Sequence, residues 1–224
     1  MVGGEKMSNF LGYSEIQIHN FFANKPDAVF YDIGARHGEF SVPLAEKCNI
    51  VAFEPSIDNY NVLVNNSKKF GDRFKSFNIA LSESEFQCYT NFKDCDGNKY
   101  QHITYRKLDT FVQNNNLPLP TYVKIDVEGM ESIILKTMHF IFEKKIPVYC
   151  EVHNDRKTWG DQDYDNNPSF KTPDKGGFDF NSLKEYGYNV YSQIHQWDGR
   201  YTILLDKNSD YNPKEPSHYG MFFV

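Results

Sequence analysis

Short apolar runs rich in β-forming residues recur along the chain, and segments with helical spacing separate them. The runs are "AVFYDIG", "NIVAFEP", "FKSFNIALS", "TYVKIDVEG", "IPVYCEVH" and, later in the chain, "YNVYSQ" and "YTILLDK". Runs this apolar are typical of strands that are buried on both faces. Since strands that alternate with helices form parallel sheets covered on both sides, the pattern predicts an α/β fold.

Capping residues and apolar spacing indicate where the helices lie. Ser14 is a candidate N-cap for a helix in "SEIQIHNFFAN", and Ser56 is one for a helix in "SIDNYNVLVNNSKKF". In the second of these, the residues near helical spacing are Ile57, Tyr60, Val62 and Val64. The segment "MESIILKTMHFIF" predicts one strong helix, with one side formed by Ile133, Ile134, Met138 and Ile141. A turn at Asp96-Gly97 predicts a hairpin between "FQCYTNF" and "HITYRKLD".

The composition limits the class of protein. With 224 residues, the chain is predicted to be a single domain with an N-terminal helix in residues 1–25. The formal charge of −6 counts against a nucleic-acid binder. No apolar run of about 18 residues occurs, so no membrane span is predicted, and the N-terminus lacks the apolar core of a signal peptide. None of the four cysteines forms a CxxC pair, so we expect reduced thiols in a cytoplasmic protein.

Polar residues mark the carboxyl ends of the predicted strands, where open α/β sheets bind their ligands. The residues at or just after these ends include Asp32, Gly34, Glu54, Ala80, Asp126, Glu128, Glu151 and His153. The polar segment 154–177 then follows the fifth strand directly. Two hypotheses remain open for that segment, a mobile surface loop and a lid over the substrate.

The loop "YDIGARHGEF" argues against a bound pyrophosphate. Its glycines are spaced as GxxxG, whereas dinucleotide-binding loops carry GxGxxG. Asp32, two residues before the first glycine, would repel a pyrophosphate and would attract an ammonium or a sulfonium. Glu54 ends the next strand, where an acidic residue can hold both ribose hydroxyls. An acid at the second strand also suits NAD, but the two acids together with the glycine spacing favour S-adenosylmethionine.

These residues, with several later segments, resemble the FkbM family of S-adenosylmethionine-dependent methyltransferases. The resemblance rests on "FYDIGARHGEFSVPLA", "VAFEPS", "NIALSE", "KLDTFV" and "VKIDVEGMESIIL", in the expected order over roughly residues 28–153. It implies a class I methyltransferase fold, which is Rossmann-like. We therefore expect a seven-stranded, mostly parallel sheet with helices on both faces and an antiparallel C-terminal hairpin formed by "YNVYSQ" and "YTILLDK". The chain departs from the family at Arg36, where asparagine is common, and at Thr110, where a second aspartate is common.

The resemblance also implies an activity and a cofactor site. Members mostly methylate hydroxyl oxygens, often on sugars or natural products, so we expect a small-molecule or glycan acceptor. Asp32, Gly34 and Gly38 would surround the methionine part of S-adenosylmethionine, Glu54 would bind the ribose, and Ala80 would lie beside the adenine. The complete set of expected cofactor-binding residues is Asp32, Gly34, Ala35, Arg36, Gly38, Glu54, Pro55 and Ala80.

The residues of the methyl-transfer step are open between several hypotheses. If Asp126 is the last residue of its strand, alternation places Asp126 and Glu128 on one side, where one accepts a proton and the other holds the acceptor. His153 is an alternative base. In a metal-assisted hypothesis, Asp126, Glu151 and His153 bind Mg²⁺ or Mn²⁺. Lys124 lies within an apolar strand, where we expect it to be the buried partner of an acid, and Glu131 is expected to be a first-turn acid of its helix.

Three classes of function are compatible with these features. The first is an O-methyltransferase. The second is an NAD-dependent oxidoreductase, which the missing GxGxxG disfavours. The third is a non-catalytic Rossmann-like binding module, which would be expected to have lost the acids that this chain retains. A nucleic-acid methyltransferase is disfavoured by the negative charge and by the absence of an Asn-Pro-Pro-aromatic motif after the fourth strand.

Overall fold

The described part of the chain forms two β-sheets, and helices pack on both faces of the larger one. The structure, a computed structural model, describes residues 13–94, 97–153, 178, 180–194 and 218–224. The strands are β1 (Val29–Ile33), β2 (Asn49–Phe53), β3 (Phe74–Phe77), β4 (Ala80–Leu81), β5 (Phe86–Asp94), β6 (Gly97–Arg106), β7 (Tyr122–Ile125), β8 (Val148–His153), β9 (Val190–Ile194) and β10 (His218–Phe223). The α-helices are α1 (Glu15–Ala23), α2 (Ser41–Leu44), α3 (Ile57–Ser67), α4 (Leu108–Asn114), α5 (Glu131–Leu135) and α6 (His139–Glu143), and 3-10 segments span Lys68–Arg73 and Phe180–Lys184.

The larger sheet has seven strands in the order β3-β2-β1-β7-β8-β10-β9. The pairs from β3 to β8 are parallel, and β10 is antiparallel to both β8 and β9. This confirms the predicted seven-stranded, mostly parallel sheet with an antiparallel C-terminal hairpin. The chain runs outward from β1 to β3 on one side and from β7 to β8 on the other. The gap between β1 and β7 is therefore the switch point of the sheet, where ligands of such folds bind.

The sheet separates two hydrophobic cores because successive side chains of a strand point to opposite faces. On β1, Tyr31 and Ile33 pack into the core that includes residues of α4, α5 and α6. Phe30, the residue before Tyr31, packs into the core that contains Ile18 of α1 and Leu63 of α3. Both faces are thus covered, which explains why the strand sequences are apolar throughout.

The predicted strand "FKSFNIALS" is divided in the structure between the two sheets, so its interpretation as one strand was wrong. It continues in the large sheet only to Phe77, and β4 pairs parallel with β6 in a second sheet of order β4-β6-β5. The division falls at Asn78, whose side-chain Nδ2 donates to the carbonyls of Glu54 and Pro55, both at 2.9 Å. These bonds hold the chain beside the end of β2 and direct it away from the sheet.

The two predicted hairpins have different outcomes. β5 and β6 pair antiparallel from Phe86↔Tyr105 to Asp94↔Gly97, which confirms the predicted hairpin between "FQCYTNF" and "HITYRKLD". In the C-terminal hairpin, β9 coincides with "YNVYSQ", but the expected partner in 201–207 lies outside the described residues. The strand that pairs with β9 is β10, which the sequence did not predict.

The helix α3 lies where it was predicted but turns a different side to the core. Ile57, Val62 and Val64 are exposed, whereas Leu63 is fully buried. The other buried residues of α3 are Asn59 and Ser67, which with Leu63 recur every four residues. The apolar residues near helical spacing thus do not mark the buried side of α3, because two of the three buried residues on that side are polar.

The single helix predicted in "MESIILKTMHFIF" is two short helices, α5 and α6. The break follows Leu135, where the Thr137 hydroxyl donates to the Ile134 carbonyl at 2.7 Å and the Thr137 amide donates to the same oxygen at 2.9 Å. Threonine that bonds to a nearby carbonyl competes with the helical pattern. Of the four residues predicted to share one side, Ile134, Met138 and Ile141 are nevertheless buried, whereas Ile133 is only half-buried.

The described residues agree with two further expectations from the sequence. The predicted helix after Ser14 is present as α1, and Ser14 is its N-cap, with its amide donating to the Gln17 side chain at 2.7 Å. Cys48, Cys88 and Cys150 carry free thiols. Within the described ranges, no helix is both long and apolar enough to cross a membrane.

Candidate functional site

The carboxyl ends of β1 and β7 meet at the switch point of the sheet. Asp32 lies in register with Lys124, and Ile33 lies in register with Ile125. One residue further, the Asp126 amide donates to the Ile33 carbonyl at 2.9 Å. The loop after β1 and the loop after β7 are therefore joined from their first residues.

The glycines of the loop after β1 are required by close packing. Gly34 has φ of +83°, and a Cβ added there would lie 1.7 Å from the backbone oxygen of Asp126. Gly38 has φ of +86°, and its Cβ would lie 2.5 Å from Val42 Cγ2 and 2.8 Å from Leu63 Cδ1. Side chains rarely adopt such φ values, and here they would also clash. The loop is thus held between β7 on one side and the helices α2 and α3 on the other.

Arg36 takes a left-handed conformation within this loop, with φ of +48°. Arginine enters this region less readily than asparagine, the residue that the resemblance led us to expect at this position. The Arg36 guanidinium donates to Glu39 at 3.1 Å, and its backbone amide donates to Glu54 Oε2 at 2.8 Å. Ala35 is buried, and its amide donates to the Phe53 carbonyl at 3.0 Å. The backbone of Ala35 and Arg36 therefore joins this loop to the end of β2.

The Glu54 carboxylate is a fixed group at the end of β2. It is only 5% exposed, and its two oxygens accept the amides of Arg36 and Ser56, each at 2.8 Å. Its neighbour Pro55 is half-buried and is held through its carbonyl by Asn78. Ala80, half-buried, opens β4 and pairs with Tyr105 of β6. The bonds from Asn78 thus hold Glu54 and Pro55 beside the segment that leads into Ala80.

A buried ammonium lies between the acids of the two central strands. Lys124 is 2% exposed, and its Nζ is 3.2 Å from Asp126 Oδ2 and 3.6 Å from Asp32 Oδ1. Burial lowers the pKa of Lys124, but the carboxylates around it raise the pKa by more, so that it lies above its usual range. Those carboxylates belong, in decreasing order of effect, to Asp126, Asp32, Glu15 and Glu151. The expectation that Lys124 is the buried partner of an acid is confirmed.

The buried carboxylate of Asp32 lies near the Lys124 ammonium without a hydrogen bond to it. Its side chain is 1% exposed, and Oδ1, 3.6 Å from Lys124 Nζ, has no hydrogen-bond partner among the described residues. A buried polar atom without a partner is uncommon and requires an explanation. Four carboxylates around one ammonium give this region an excess of negative charge, which suits a cationic ligand.

The loop after β7 does not continue the alternation that the sequence suggested. β7 ends at Ile125, so Asp126 lies beyond the strand, and Glu128 takes a left-handed φ of +53°. Asp126 reaches into the site with 24% of its side chain exposed, whereas Glu128 is an exposed residue. The condition under which strand alternation would place Asp126 and Glu128 on one side is therefore not met, because neither residue is in the strand.

Glu131 braces the loop after β7. It is 2% exposed, and its Oε1 accepts the Gly129 amide at 3.1 Å and the Val127 amide at 3.4 Å. It is also the first residue of α5, as expected from the sequence. A carboxylate in a first helical turn that turns back to the preceding loop fixes both the loop and the start of the helix.

The sequence did not predict the contribution of α1 to this region. His19 is fully buried, with Nε2 3.0 Å from Glu15 Oε1 and Nδ1 2.8 Å from the Tyr122 hydroxyl. Its ring also packs edge-on against Phe40 and Tyr149, with centroids 5.1 Å and 5.4 Å away. The spacing of Glu15 and His19, four residues apart on a helix, was the available signal.

His153 is the last residue of β8 and pairs with His218 of β10. Its side chain is not among those that the structure describes, and the polar segment 154–177 also lies outside the described residues. Among the residues that are described, no group of three His, Cys, Asp or Glu side chains is arranged to hold a metal ion. The metal-assisted hypothesis at Asp126 and Glu151 therefore has no support in this geometry.

Comparison with known proteins gives a family and several similar proteins. The family model described as the methyltransferase FkbM domain matches residues 32–190. A hexuronic acid methyltransferase, AglP, of Haloferax volcanii is 28% identical over 139 residues, which cover 57% of this chain and 56% of that protein. The chain thus spans about half the length of this curated relative.

Solved structures with similar architecture include two methyltransferases. An rRNA methylase from Streptococcus thermophilus has a TM-score of 0.49 and 10% identity, with 94% of this chain and 96% of that chain covered. An O-methyltransferase from Bacillus cereus in complex with SAH has a TM-score of 0.45 and 10% identity, with 93% of this chain and 78% of that chain covered.

Proposed function

Since the chain belongs to the methyltransferase FkbM domain family, we propose that it transfers a methyl group from S-adenosylmethionine to a hydroxyl oxygen of a sugar, a glycan or a small natural product. The observation that carries the proposal is the pairing of two buried acids at neighbouring strand ends, Asp32 on β1 and Glu54 beyond β2. When bound, S-adenosylmethionine supplies a methyl group that is already electrophilic because it is attached to a sulfonium.

Asp32 suits the cationic amino-acid end of that cofactor. Its buried Oδ1 lies 3.6 Å from Lys124 Nζ and has no hydrogen-bond partner among the described residues, so it is an acceptor for a second ammonium. Lys124 offsets part of the negative charge, yet the surrounding carboxylates outnumber it. The site therefore favours a cation over a pyrophosphate, which supports S-adenosylmethionine over NAD.

Glu54 suits the ribose. Its carboxylate is held by the amides of Arg36 and Ser56, so it is oriented before any ligand arrives. A carboxylate offers about four acceptor positions, so accepting two amides is compatible with accepting ribose hydroxyls as well. Gly38, Ala35 and Arg36 complete the loop beside it, and Pro55 and Ala80 would border the base.

We infer that Asp126 is the general base. Of the two acids near Lys124, Asp126 is the one whose side chain is partly exposed, at 24%, and its contact with Lys124 Nζ at 3.2 Å orients the carboxylate. As the hydroxyl oxygen of the acceptor forms its bond to the methyl carbon, Asp126 would accept the hydroxyl proton. Glu128, exposed on the same loop, would hold the acceptor, and His153 at the end of β8 remains the second candidate base.

The relative from Haloferax volcanii supports the acceptor class, because its name specifies a hexuronic acid. A sugar hydroxyl is a poor nucleophile, and a positioned base is the aid that it needs. Oxygen of a sugar or glycan is thus our first choice of acceptor, ahead of hydroxyls of other natural products.

The test separates cofactor binding from turnover. Calorimetric titration with S-adenosylmethionine and with NAD should show saturable binding of the first only. Glu54→Ala should weaken that binding by about 10–100-fold, because charge-assisted hydrogen bonds are lost. Asp126→Ala should leave binding within a few-fold and lower methyl transfer to a sugar acceptor by about 100–10,000-fold. Binding of NAD, or an equal loss of cofactor affinity in both variants, would contradict the proposal.

A further inference from the structure

Two buried polar groups near Glu54 have no hydrogen-bond partner in the part of the chain that the structure describes. The Ser56 hydroxyl belongs to a fully buried residue, and the Gln101 Nε2 belongs to a residue that is 8% exposed. Leaving a buried donor or acceptor unsatisfied costs about 1–3 kcal/mol. Such groups in a native fold therefore often mark the position of a ligand.

The Gln101 amide is held in one orientation. Its Oε1 accepts the backbone amide of Ile57 at 3.0 Å, where the first turn of α3 has no intrahelical acceptor. Rotation of the carboxamide by half a turn would place two donors against each other, so Nε2 is directed away from Ile57. Ser56 is the N-cap residue of α3, but its hydroxyl makes no capping bond, and Gln101 bonds to the amide of the first helical residue, Ile57.

The position of Gln101 follows from the pairing of the small sheet. Gln101 lies on the same face of β6 as Ile103 and Tyr105, since side chains alternate along a strand. Tyr105 pairs with Ala80. At the Gln101 end of this face of β6, Gln101 contacts Ile57. The residue before Ile57 is Ser56, whose amide donates to the Glu54 carboxylate. The two unsatisfied groups thus lie in the corner bordered by Glu54 and Ala80.

We propose that Gln101 and Ser56 recognise the purine base of the adenosyl group, with Gln101 Nε2 donating to a ring nitrogen. This inference rests on the proposed function, because it takes Glu54 as the ribose ligand and the base as its neighbour. Adenine presents ring nitrogens that accept and an amino group that donates, and the Ser56 hydroxyl can pair with either. The β5–β6 hairpin is then part of the cofactor site, which the sequence did not suggest.

The sharpest variant is Gln101→Glu, which keeps an oxygen for the Ile57 amide and replaces the donor by an acceptor. Titration with S-adenosylhomocysteine should show about tenfold weaker binding than wild type, since a buried donor–acceptor bond is lost. Gln101→Met, which introduces no charge, should weaken binding to a similar extent. Ser56→Ala, which keeps the backbone amide for Glu54, should weaken it by about threefold to tenfold.

A matched control lies on the outer face of the same hairpin. Gln87 is exposed and donates to Thr104 at 3.2 Å, so Gln87→Glu makes the same chemical change away from the site and should bind within twofold of wild type. Binding within twofold of wild type by Gln101→Glu would overturn the inference. Weaker binding by Gln101→Glu together with unchanged binding by Gln101→Met would also overturn the inference, because it would indicate that the added negative charge acts on Glu54. If neither Gln101 variant folds, unchanged binding by Ser56→Ala overturns it. Failure of wild type to bind S-adenosylhomocysteine would instead remove the proposed function.

Discussion

Replacing Lys124 with methionine should be among the most damaging changes that preserve side-chain size. Lys124 is 2% exposed and lies 3.2 Å from Asp126 and 3.6 Å from Asp32. Methionine fills the same space but leaves two carboxylates without their common ammonium. Removal of one partner from a buried ion pair costs about 3–5 kcal/mol, because the remaining charge is left uncompensated in a region of low polarity. That is a large share of the about 5–15 kcal/mol that typically stabilises a domain.

The assay is urea unfolding followed by circular dichroism, with Lys69→Met as the matched control. Lys69 is closer to its partner, 2.7 Å from Glu46, but both side chains are exposed. Solvent screens such a pair, so this variant should unfold at the same urea concentration as wild type. Adding Asp32→Asn and Asp126→Asn to the Lys124 variant should recover stability. If the free energy of unfolding of Lys124→Met lay within about 1 kcal/mol of the wild-type value, the reasoning that Lys124 compensates buried charges would be refuted.

Three further predictions concern stability. Gly34→Ala should lower the melting temperature far more than Gly71→Ala, since both have positive φ but only Gly34 lacks space for a Cβ; equal effects would contradict the clash. Leu63→Ala should cost about 2–5 kcal/mol in denaturant unfolding because Leu63 is fully buried, whereas exposed Val62→Ala should stay within about 0.5 kcal/mol. Burial raises the pKa of Cys48 from 9.0 to about 11. A raised thiol pKa gives stability that is complete below pH about 9 and lost as the pH rises through about 11, so Cys48→Ala should lose less stability than wild type over that interval in thermal melts.

The central strands and the acids at their ends could be predicted because their signals are local. The apolar run before Asp32 and the one before Asp126 each identify a buried strand, and the residue that follows each run must lie at its carboxyl end. The glycine spacing then indicates a loop that requires positive φ, as found at Gly34 and Gly38. None of these inferences needs information from a distant part of the chain.

The features that escaped prediction depend on distant partners. Ser56 is the N-cap of α3 as the sequence indicated, yet its hydroxyl makes no capping bond, and the amide of Ile57 is bonded by Gln101, far along the chain. The core side of α3 is decided by what packs on Leu63, which helical spacing alone does not show. His19 appears as one polar residue on α1 until Tyr122 is placed 2.8 Å from its ring. In each case the tertiary contact outweighs the local preference.

The contact between Gly34 and Asp126 bears on how this scaffold can be engineered. No Cβ fits between Gly34 and the Asp126 carbonyl, and the Asp126 amide is bonded to Ile33. The loop after β1 and the loop after β7 are therefore packed so closely that neither can move without the other. An insertion or deletion in either loop would displace the other, and with it both acids that Lys124 joins. Libraries aimed at a new acceptor should therefore hold the lengths of segments 34–38 and 126–129 constant and vary only side chains that face outward, beginning with Glu128.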